Sequence, residues 1–299
     1  MIENLTEFAS IQVDKRLSNL ENTIMMDNYD NRYYRNFSPT HTTAFRVTVG
    51  QSDLFIRATR DLSTQARDAL QTCRYQIERY IQTNVAFDLS LEPLPADDLA
   101  PPICQKMLAA GQKANVGPFA AVAGAIANAV AEKLSAFSDD VIVENGGDLC
   151  LRLTEDMVVG VYAGRHSPFS GEVGFRIRAK DSPCALCTSS GTVGTSFSRG
   201  IADAVTVFAK DAALADAAAT AICNNVQTPE CINAVARQAH NIEGVLGVAI
   251  FIGDKMAVWG DLELVNPATK KEEPDDHQSE SAEVRKTSLE KNGCLRPGS

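Results

Sequence analysis

The sequence has 299 residues and a formal net charge of -10, with 44% hydrophobic and 22% charged residues. The lack of a basic surplus excludes a general nucleic-acid binder, and no apolar run reaches the ~20 residues of a membrane helix. Eight cysteines are too few for a disulfide scaffold, and the first ten residues show no secretory signal. We therefore expect a cytoplasmic protein with reduced thiols that binds neither nucleic acid nor a membrane.

The first predicted elements are a β-hairpin and a long helix. Apolar and polar residues alternate in "AFRVTV" and "DLFIRA", which predicts two strands joined by a turn at residues 50–53. Apolar residues at three- and four-residue spacing then predict a helix over residues 61–84, with Ser63 as a candidate N-cap. This apolar stripe consists of Leu70, Cys73, Ile77 and Ile81.

Helices and strands follow in the rest of the chain. One helix is predicted over residues 103–113, and Pro118 suits the first turn of the alanine-rich helix that follows it. Two more helices are predicted near residues 211–224 and 229–240, the first with Asp211 as its N-cap. Six segments have the composition of strands: "VIVENGG", "MVVGVYA", "EVGFRIRA", "VTVFA", "GVLGVAIFIG" and "KMAVWG".

These elements predict one α+β domain over residues 31–268, with a mostly antiparallel sheet and helices packed against it. Residues 1–30 are expected to be a separate, polar N-terminal segment. Residues 269–299 carry many charges and no aromatic side chain. They cannot bury enough apolar surface to offset their ordering entropy, so a flexible tail is predicted. The alanine-rich helices are a candidate surface for a homodimer.

Two segments that contain glycine are candidates for ligand binding. In "ENGGD", Gly146 and Gly147 would let a ligand approach the main chain, while Asn145 and Asp148 present oxygen atoms. A plain hairpin turn explains the same residues. Gly117 precedes a helix start whose exposed N–H groups would form an anion site. A helix start that only packs tightly accounts for Gly117 equally well.

The segment "CALCTSSGTVGTSFSRGIADA", residues 184–204, is rich in hydroxyl groups and glycine. Its hydroxyls and backbone N–H groups predict a loop that wraps a pyrophosphate, and a long polar connection is the alternative. The candidate binding residues are Ser189, Ser190, Gly191, Thr192 and Gly194. Arg199 and Asp203 follow at the entry to the next strand. Cys184 and Cys187 are better explained as two unrelated buried thiols than as a zinc or redox pair, since no second Cys-x-x-Cys completes a tetrahedral site.

A candidate metal site lies on the helix predicted over residues 211–224. Asp216 and Thr220 are four residues apart, so they share a face of this helix. A carboxylate beside a hydroxyl suits Mg²⁺, which prefers oxygen ligands and often bridges to phosphate. The alternative is that Asp216 faces solvent and Thr220 bonds back to a carbonyl one turn earlier.

Four blocks, taken in order, resemble a known family: "VGPFAAVAGAIA", "ENGGD", "SSGTVGTSFSRGIADAVTV" and "ALADAAATAICN". They are similar to an uncharacterised bacterial and archaeal family related to the ApbE flavin transferases, which move FMN from FAD onto a threonine or serine of a target protein. The resemblance covers about residues 40–260. It implies an ApbE-like α+β fold with a deep cleft that binds FAD, and a Mg²⁺ that bridges the pyrophosphate.

The same resemblance implies roles for single residues. Those that match the metal-binding Asp-x-x-x-Thr, the Gly-Gly-Asp turn and the Ser-Gly segment of the transferases are Asp216, Thr220, Gly146, Gly147, Asp148, Ser190 and Gly191. The transferases carry a histidine shortly before an Asp-Pro pair. Here the comparable region, "SRGIADAV", has Arg199 and Asp203 but neither the histidine nor the proline.

Together these observations predict a Mg²⁺-dependent transferase or hydrolase that acts on a flavin, such as FAD, or on another nucleotide that contains a diphosphate. In this hypothesis Asp216 and Thr220 hold the cation, and backbone donors of residues 189–195 hold the phosphates. Asp203 orients or deprotonates an attacking hydroxyl, with Arg199 as a second catalytic candidate. One alternative is a non-catalytic protein that binds a small phosphorylated metabolite or nucleotide. Another is a structural protein with an empty cleft.

Overall fold

The computed structural model describes residues 41–192 and 198–267 and confirms the predicted α+β fold. In chain order the strands are β1 (Thr43–Val49), β2 (Ser52–Ala58), β3 (Val141–Asn145), β4 (Asp148–Arg152), β5 (Met157–Gly160), β6 (Gly174–Ile177), β7 (Cys184–Ser189), β8 (Ala204–Ala209), β9 (Val245–Ile252), β10 (Lys255–Gly260) and β11 (Glu263–Val265). The α-helices are α1 (Ser63–Thr83), α2 (Ala86–Leu89), α3 (Pro102–Ala114), α4 (Val122–Leu134), α5 (Ala212–Asn225) and α6 (Ile232–Gln238). A short 3₁₀ helix, Pro118–Ala121, leads directly into α4.

The strands form two sheets in which every pairing is antiparallel. The large sheet has the order β1-β2-β3-β4-β7-β8-β9-β10, and the small sheet has the order β11-β6-β5. Alternate residues of a strand face opposite sides. In β8, Val205 and Val207 therefore pack towards the helices, whereas Ala204 and Phe208 pack in a second core with residues of the small sheet. The large sheet is the central layer of three.

The alanine-rich helices α4 and α5 lie inside the main core rather than on the surface. Their small side chains let the two backbones approach closely. A Cβ atom added to Gly124 would lie only 2.0 Å from the carbonyl oxygen of Ala212. The large sheet and neighbouring helices cover much of these two helices, so little of α5 is left on the surface for the dimer contact expected from the sequence.

The predicted helices and strands are largely confirmed, with corrections at their ends. Helix α1 begins at Ser63 rather than after it, and the Ser63 amide donates to Asp61 Oδ1 at 2.8 Å. The first hairpin turns at residues 50–51, since Ser52 already belongs to β2. The strands β4, β7 and β11 were not predicted from the sequence. Because β7 extends to Ser189, the first residues assigned to a phosphate loop belong instead to a central strand.

Some predictions lie outside the described residues. These are the polar segment 1–30, the charged tail 269–299 and the glycine at position 194. Within residues 41–192 and 198–267, no single helix is long and apolar enough to cross a membrane. Helix α3 and the segment Pro118–Leu134 satisfy the length and composition requirement only when joined, and they are bent by 107°.

Candidate functional site

The β3–β4 connection is a tight turn made by Gly146 and Gly147. Their φ angles of 69° and 110° lie in the region that favours glycine. The hairpin interpretation of "ENGGD" is therefore correct. A Cβ atom added to Gly146 would meet nothing within 4 Å, so the turn borders open space. On the strand before it, Asn145 Nδ2 donates to the carbonyl oxygen of Ala123 at 3.1 Å, which ties β3 to the start of α4.

Asp216 lies on α5 and is directed at the N-terminus of α4. Its Oδ2 accepts a hydrogen bond from the Gly124 amide at 2.8 Å, and the Ala123 amide also bonds this carboxyl. A negative charge is favoured where a helix begins, because the first N–H groups have no partner within the helix. Only 9% of Asp216 is exposed. The alternative that Asp216 faces solvent is therefore wrong. The alanines beside it are too small to cover its carboxyl, but α4 does so.

Asp148 is the second buried acid of the site, and only 7% of it is exposed. Its Oδ1 accepts from the Thr188 amide at 3.3 Å. The Cys187 thiol lies within hydrogen-bonding reach of the same carboxyl and donates to the Ala212 carbonyl oxygen at 3.4 Å. The strand β4 and the helix α5 thus bring two carboxyl groups into one buried region, and Asp148 directly follows the Gly146–Gly147 turn in the chain.

The two acids affect each other electrostatically. Burial raises the pKa of Asp148 well above its ordinary value, and the nearby charge of Asp216 raises it further. Burial also raises the pKa of Asp216 to about 7, against the opposing effect of the Gly124 and Ala123 amides. Neither carboxyl forms an ion pair with a described lysine, arginine or histidine. The pair therefore favours a bound proton or an external cation.

Thr220 lies one turn after Asp216 on α5 and is half-buried. Within the described part of the chain, its hydroxyl forms no hydrogen bond, so the predicted bond back to a carbonyl is absent there. Farther along α5, burial raises the pKa of the Cys223 thiol, and the hydroxyls of Ser198 and Ser189 partly offset this effect. The end of β7 therefore meets the same helix that carries Asp216 and Thr220.

The described part of the loop after β7 is held by its own hydrogen bonds. The Gly191 amide donates to the Ala202 carbonyl oxygen at 2.9 Å, and a Cβ atom at Gly191 would lie 2.0 Å from the Gly200 carbonyl oxygen. The Thr192 amide donates to Ser190 Oγ at 3.1 Å. The prediction that these two amides are free to bind a phosphate is wrong, because the chain itself uses them.

The two catalytic candidates lie in this loop region. Asp203 accepts two hydrogen bonds, from the Thr192 hydroxyl at 2.9 Å and from the Gly253 amide at 2.7 Å. Arg199 has an exposed side chain, and its amide donates to Asn224 Oδ1 at 2.8 Å. In the described structure, no hydrogen bond or ion pair links either residue to the two buried acids. Asp203 thus fastens the loop to the β9–β10 turn.

Gly117 is packed rather than open. Its amide donates to the Leu91 carbonyl oxygen at 2.9 Å, and an added Cβ atom would lie 1.8 Å from the Ser90 carbonyl oxygen. The anion site predicted at this helix start is wrong for Gly117, and tight packing is the correct explanation. Farther on, the amides of Ala123 and Gly124 bond Asp216 instead of an external anion.

Three groups of the site were not predicted from the sequence: the Cys187 thiol and the backbone amides of Ala123 and Gly124. Cys184 and Cys187 face opposite sides of β7 and lie in different cores, which confirms two unrelated buried thiols. A glycine among alanines in α4 was the one signal of close helix contact. Among the described residues, no group of three or more His, Cys, Asp or Glu side chains is arranged to hold a metal ion.

Comparison with known proteins identifies the family. The family model described as "AbpE bacteria" matches residues 35–245, which is well over half of the sequence. The chain belongs to this family. Relatives of this AbpE-family chain include a UPF0280 protein of Methanocaldococcus jannaschii, 42% identical over 74% of this chain and 92% of its own length. Another is a UPF0280 protein of Methanospirillum hungatei, 44% identical over 66% of this chain and 79% of its own length.

Solved structures give a weaker likeness to this AbpE-family chain. The flavin transferase ApbE from Vibrio cholerae is 12% identical over 74% of this chain and 97% of its own, with a TM-score of 0.49. The apo flavinyl transferase ApbE of Pseudomonas stutzeri is 11% identical over 73% of this chain and 94% of its own, with a TM-score of 0.47. At these values the likeness carries no conclusion about activity. The membership of an uncharacterised family related to ApbE, expected from the sequence, is confirmed.

Proposed function

We propose that the protein is a Mg²⁺-dependent transferase or hydrolase that acts on a flavin or on another nucleotide with a diphosphate group. The observation that carries this proposal is the pair of buried acids, Asp148 and Asp216, of which Asp148 directly follows an open glycine turn. Two carboxyl groups from separate parts of the chain come together there without a protein cation beside them. Such an arrangement costs stability unless a proton or a metal ion compensates it.

The residues of the site suit Mg²⁺ better than a softer metal. Asp148, Asp216 and the Thr220 hydroxyl supply oxygen ligands, and Mg²⁺ prefers oxygen. It also keeps several waters or phosphate oxygens in its coordination shell, so two carboxylates suffice. When bound, Mg²⁺ would neutralise phosphate oxygens and stabilise a leaving phosphate.

The protein's own groups position this site. Asn145 and Asp216 both bond the start of α4, so β3, α4 and α5 are held together around it. The Gly146–Gly147 turn leaves room for a ligand to approach the backbone. Rigid placement of this kind supplies much of what a phosphoryl or nucleotidyl transfer requires from a protein.

A non-catalytic binding protein is the second candidate, and the geometry of Asp203 favours it. A general base must lie within hydrogen-bonding reach of the proton that it removes. The Asp203 carboxylate is held by the Thr192 hydroxyl and the Gly253 amide, and no described hydrogen bond links it to the two buried acids. In this candidate the same two acids would bind a metal–nucleotide complex without turnover.

The two functions are separated by measuring binding and turnover together. Thermal shifts with FAD, FMN, ATP and NAD, each with and without Mg²⁺, report binding. Release of AMP from FAD, measured by chromatography, reports cleavage. An enzyme gives both signals with FAD and Mg²⁺, whereas a binding protein gives only the shift. If no nucleotide shifts the melting temperature in the presence of Mg²⁺, both functions are refuted.

Two matched variants assign the signal to the acid pair. Asp216→Asn keeps the size of the side chain but weakens its affinity for a cation, so it should abolish the Mg²⁺-dependent shift. Asp140 is also buried, but it bonds Thr154 and His41 at the other end of β3. Asp140→Asn should lower stability and leave the shift intact. Equal responses of the two variants would show that general destabilisation, and not the site, causes the effect.

A further inference from the structure

The two edges of the large sheet are built differently. At the β1 edge, Arg46 forms a 2.6 Å ion pair with Asp53, and the exposed residues of β1 include Thr43 and Thr48. Charges and polar side chains keep an edge strand from pairing with another chain. At the opposite edge, β10 exposes two apolar side chains, Met256 (37% exposed) and Val258 (36% exposed). Lys255 at the start of this edge pairs with Glu230 at 3.0 Å, so the charge lies at one end and the centre of the β10 edge is apolar.

The backbone of β10 also has hydrogen-bonding groups to offer. A two-residue turn joins β9 to β10, with Lys255 opposite Ile252. In such a hairpin Lys255, Ala257 and Trp259 bond β9, so the N–H and C=O groups of Met256 and Val258 point away from the sheet. No described residue outside β9 pairs with β10.

The usable edge is short and well defined. Beyond it, Gly260 has a φ of 84°, and the Asp261 amide donates to the Leu246 carbonyl oxygen at 2.9 Å. The Asp261 amide thus still bonds β9, but the positive φ of Gly260 bends the strand and ends its regular outer edge. Before it, the β9–β10 turn is fixed by the bond from the Gly253 amide to Asp203. Among the described residues, none pairs with the outer edge of the segment centred on Ala257.

We propose that β10 pairs antiparallel with β10 of a second copy of this chain, around a two-fold axis at Ala257. In this register Met256 lies opposite the partner's Val258, and Val258 lies opposite the partner's Met256. Each of these pairs exchanges two backbone hydrogen bonds, so every outward group of the edge is satisfied. The result is one continuous sheet across the dimer.

The side chains of β10 are complementary to themselves in this register. On one face, Met256 packs against the partner's Val258, which removes both exposed apolar side chains from water. On the other face, Lys255, whose ammonium group bonds Glu230 at 3.0 Å, lies opposite the partner's Trp259, and its aliphatic stem can cover the indole ring. Every contact occurs twice, as a closed two-fold interface requires. A second copy is therefore a better partner for this edge than an unrelated strand.

Sedimentation velocity of the full chain, from about 1 to 100 µM, tests the proposal. The wild-type protein should sediment with twice the mass of the 32.2 kDa chain. The double variant Met256→Lys, Val258→Lys places like charges opposite each other across the axis and should weaken the dimer at least about 100-fold. The double variant Met256→Glu, Val258→Lys places opposite charges there and should restore the dimer.

The matched control introduces the same charges on another apolar surface. Val85 and Leu89, four residues apart around α2, are 63% and 69% exposed. Val85→Lys with Leu89→Lys should leave the dimer unchanged, and far-ultraviolet circular dichroism verifies that each variant is folded. A wild-type monomer up to the highest concentration overturns the proposal. A dimer that persists with two lysines in β10 also overturns the proposal. A dimer that dissociates only in the Val85→Lys, Leu89→Lys control overturns it as well.

Hydrogen exchange provides an independent measurement that needs no variant. The amides of Met256 and Val258 should be protected at high concentration and should exchange faster on dilution below the dissociation constant. The β1 peptide, at the other edge, should not respond to dilution. Protection of the β10 amides that does not depend on concentration would refute pairing with a second copy.

Discussion

Replacing Gly124 by alanine probes the backbone contact that joins α4 and α5 at the acid pair. Alanine is the better helix former by about 1 kcal/mol, so the change would stabilise a helix with room for a methyl group. Here an added Cβ atom would lie 2.0 Å from the Ala212 carbonyl oxygen and 2.8 Å from Cβ of Asp216. Overpacking costs about 1–3 kcal/mol, and a hydrogen bond to a charged group contributes about 1.5–3 kcal/mol. We expect Gly124→Ala to lower the free energy of unfolding by at least about 2 kcal/mol.

Urea denaturation at neutral pH, followed by circular dichroism, measures this change. The control is Ala129→Gly in the same helix, which should cost only about the 1 kcal/mol of helix propensity. If the proposed function holds, Gly124→Ala should also lose the Mg²⁺-dependent thermal shift, whereas Ala129→Gly should keep it. An increase in stability on replacing Gly124 would refute the close contact between the two helices, because only the propensity gain would then remain.

Three further predictions concern buried carboxyl groups and one loop. Asp216→Asn should flatten the pH dependence of stability measured in a chelator. In the folded protein the pKa of Asp216, about 7, exceeds its ordinary value of 3.8. Asp216 therefore stabilises the wild-type protein below about pH 4, and this stabilisation is lost as the pH rises through 7. Parallel pH profiles of the wild type and the variant would contradict this. In Asp140, burial tends to raise the pKa, but hydrogen bonds from Thr154 and His41 together outweigh it and the net shift of the pKa is downwards. The loss of unfolding free energy caused by Asp140→Asn should thus be complete at pH 7 and become smaller below about pH 4. A loss that stays constant with pH would disprove this role of the Asp140 carboxylate. Thr192→Val removes the hydroxyl bond to Asp203 and should cost about 1 kcal/mol in urea denaturation; an unchanged midpoint would show that this bond does not hold the loop.

The fold was predictable where periodicity was strong. The stripe through Leu70, Cys73 and Ile77 located α1, and these residues are buried as expected. The strand β7 was missed because "CALCTS" is buried on both faces and mixes small with polar residues, so it has neither alternation nor a plain apolar run. The strand β4 was missed because it is short and begins directly after the glycine turn.

The site was predictable as a set of polar residues but not as a set of contacts. Asp148 and Asp216 were selected from local patterns, and the structure brings them into one buried region. Local sequence could not show that the Leu91 carbonyl oxygen occupies the Gly117 amide, because the two residues are joined only by the tertiary fold. The same limit applies to the Ala202 carbonyl oxygen and the Gly191 amide.

These occupied amides change how a phosphate would have to bind. The sequence predicted two sets of backbone donors for an anion, at Gly117 and near Gly191, and one cation site at Asp216. Among the described residues, both donor positions are satisfied within the chain, and the first amides of α4 bond Asp216. A phosphate that approached the acid pair directly would meet two carboxyl groups and be repelled whenever they are ionised. At a pH where both acids are ionised, nucleotide binding should therefore depend strictly on a divalent cation, and a nucleotide that stabilises the protein equally well in a chelator at that pH would contradict this.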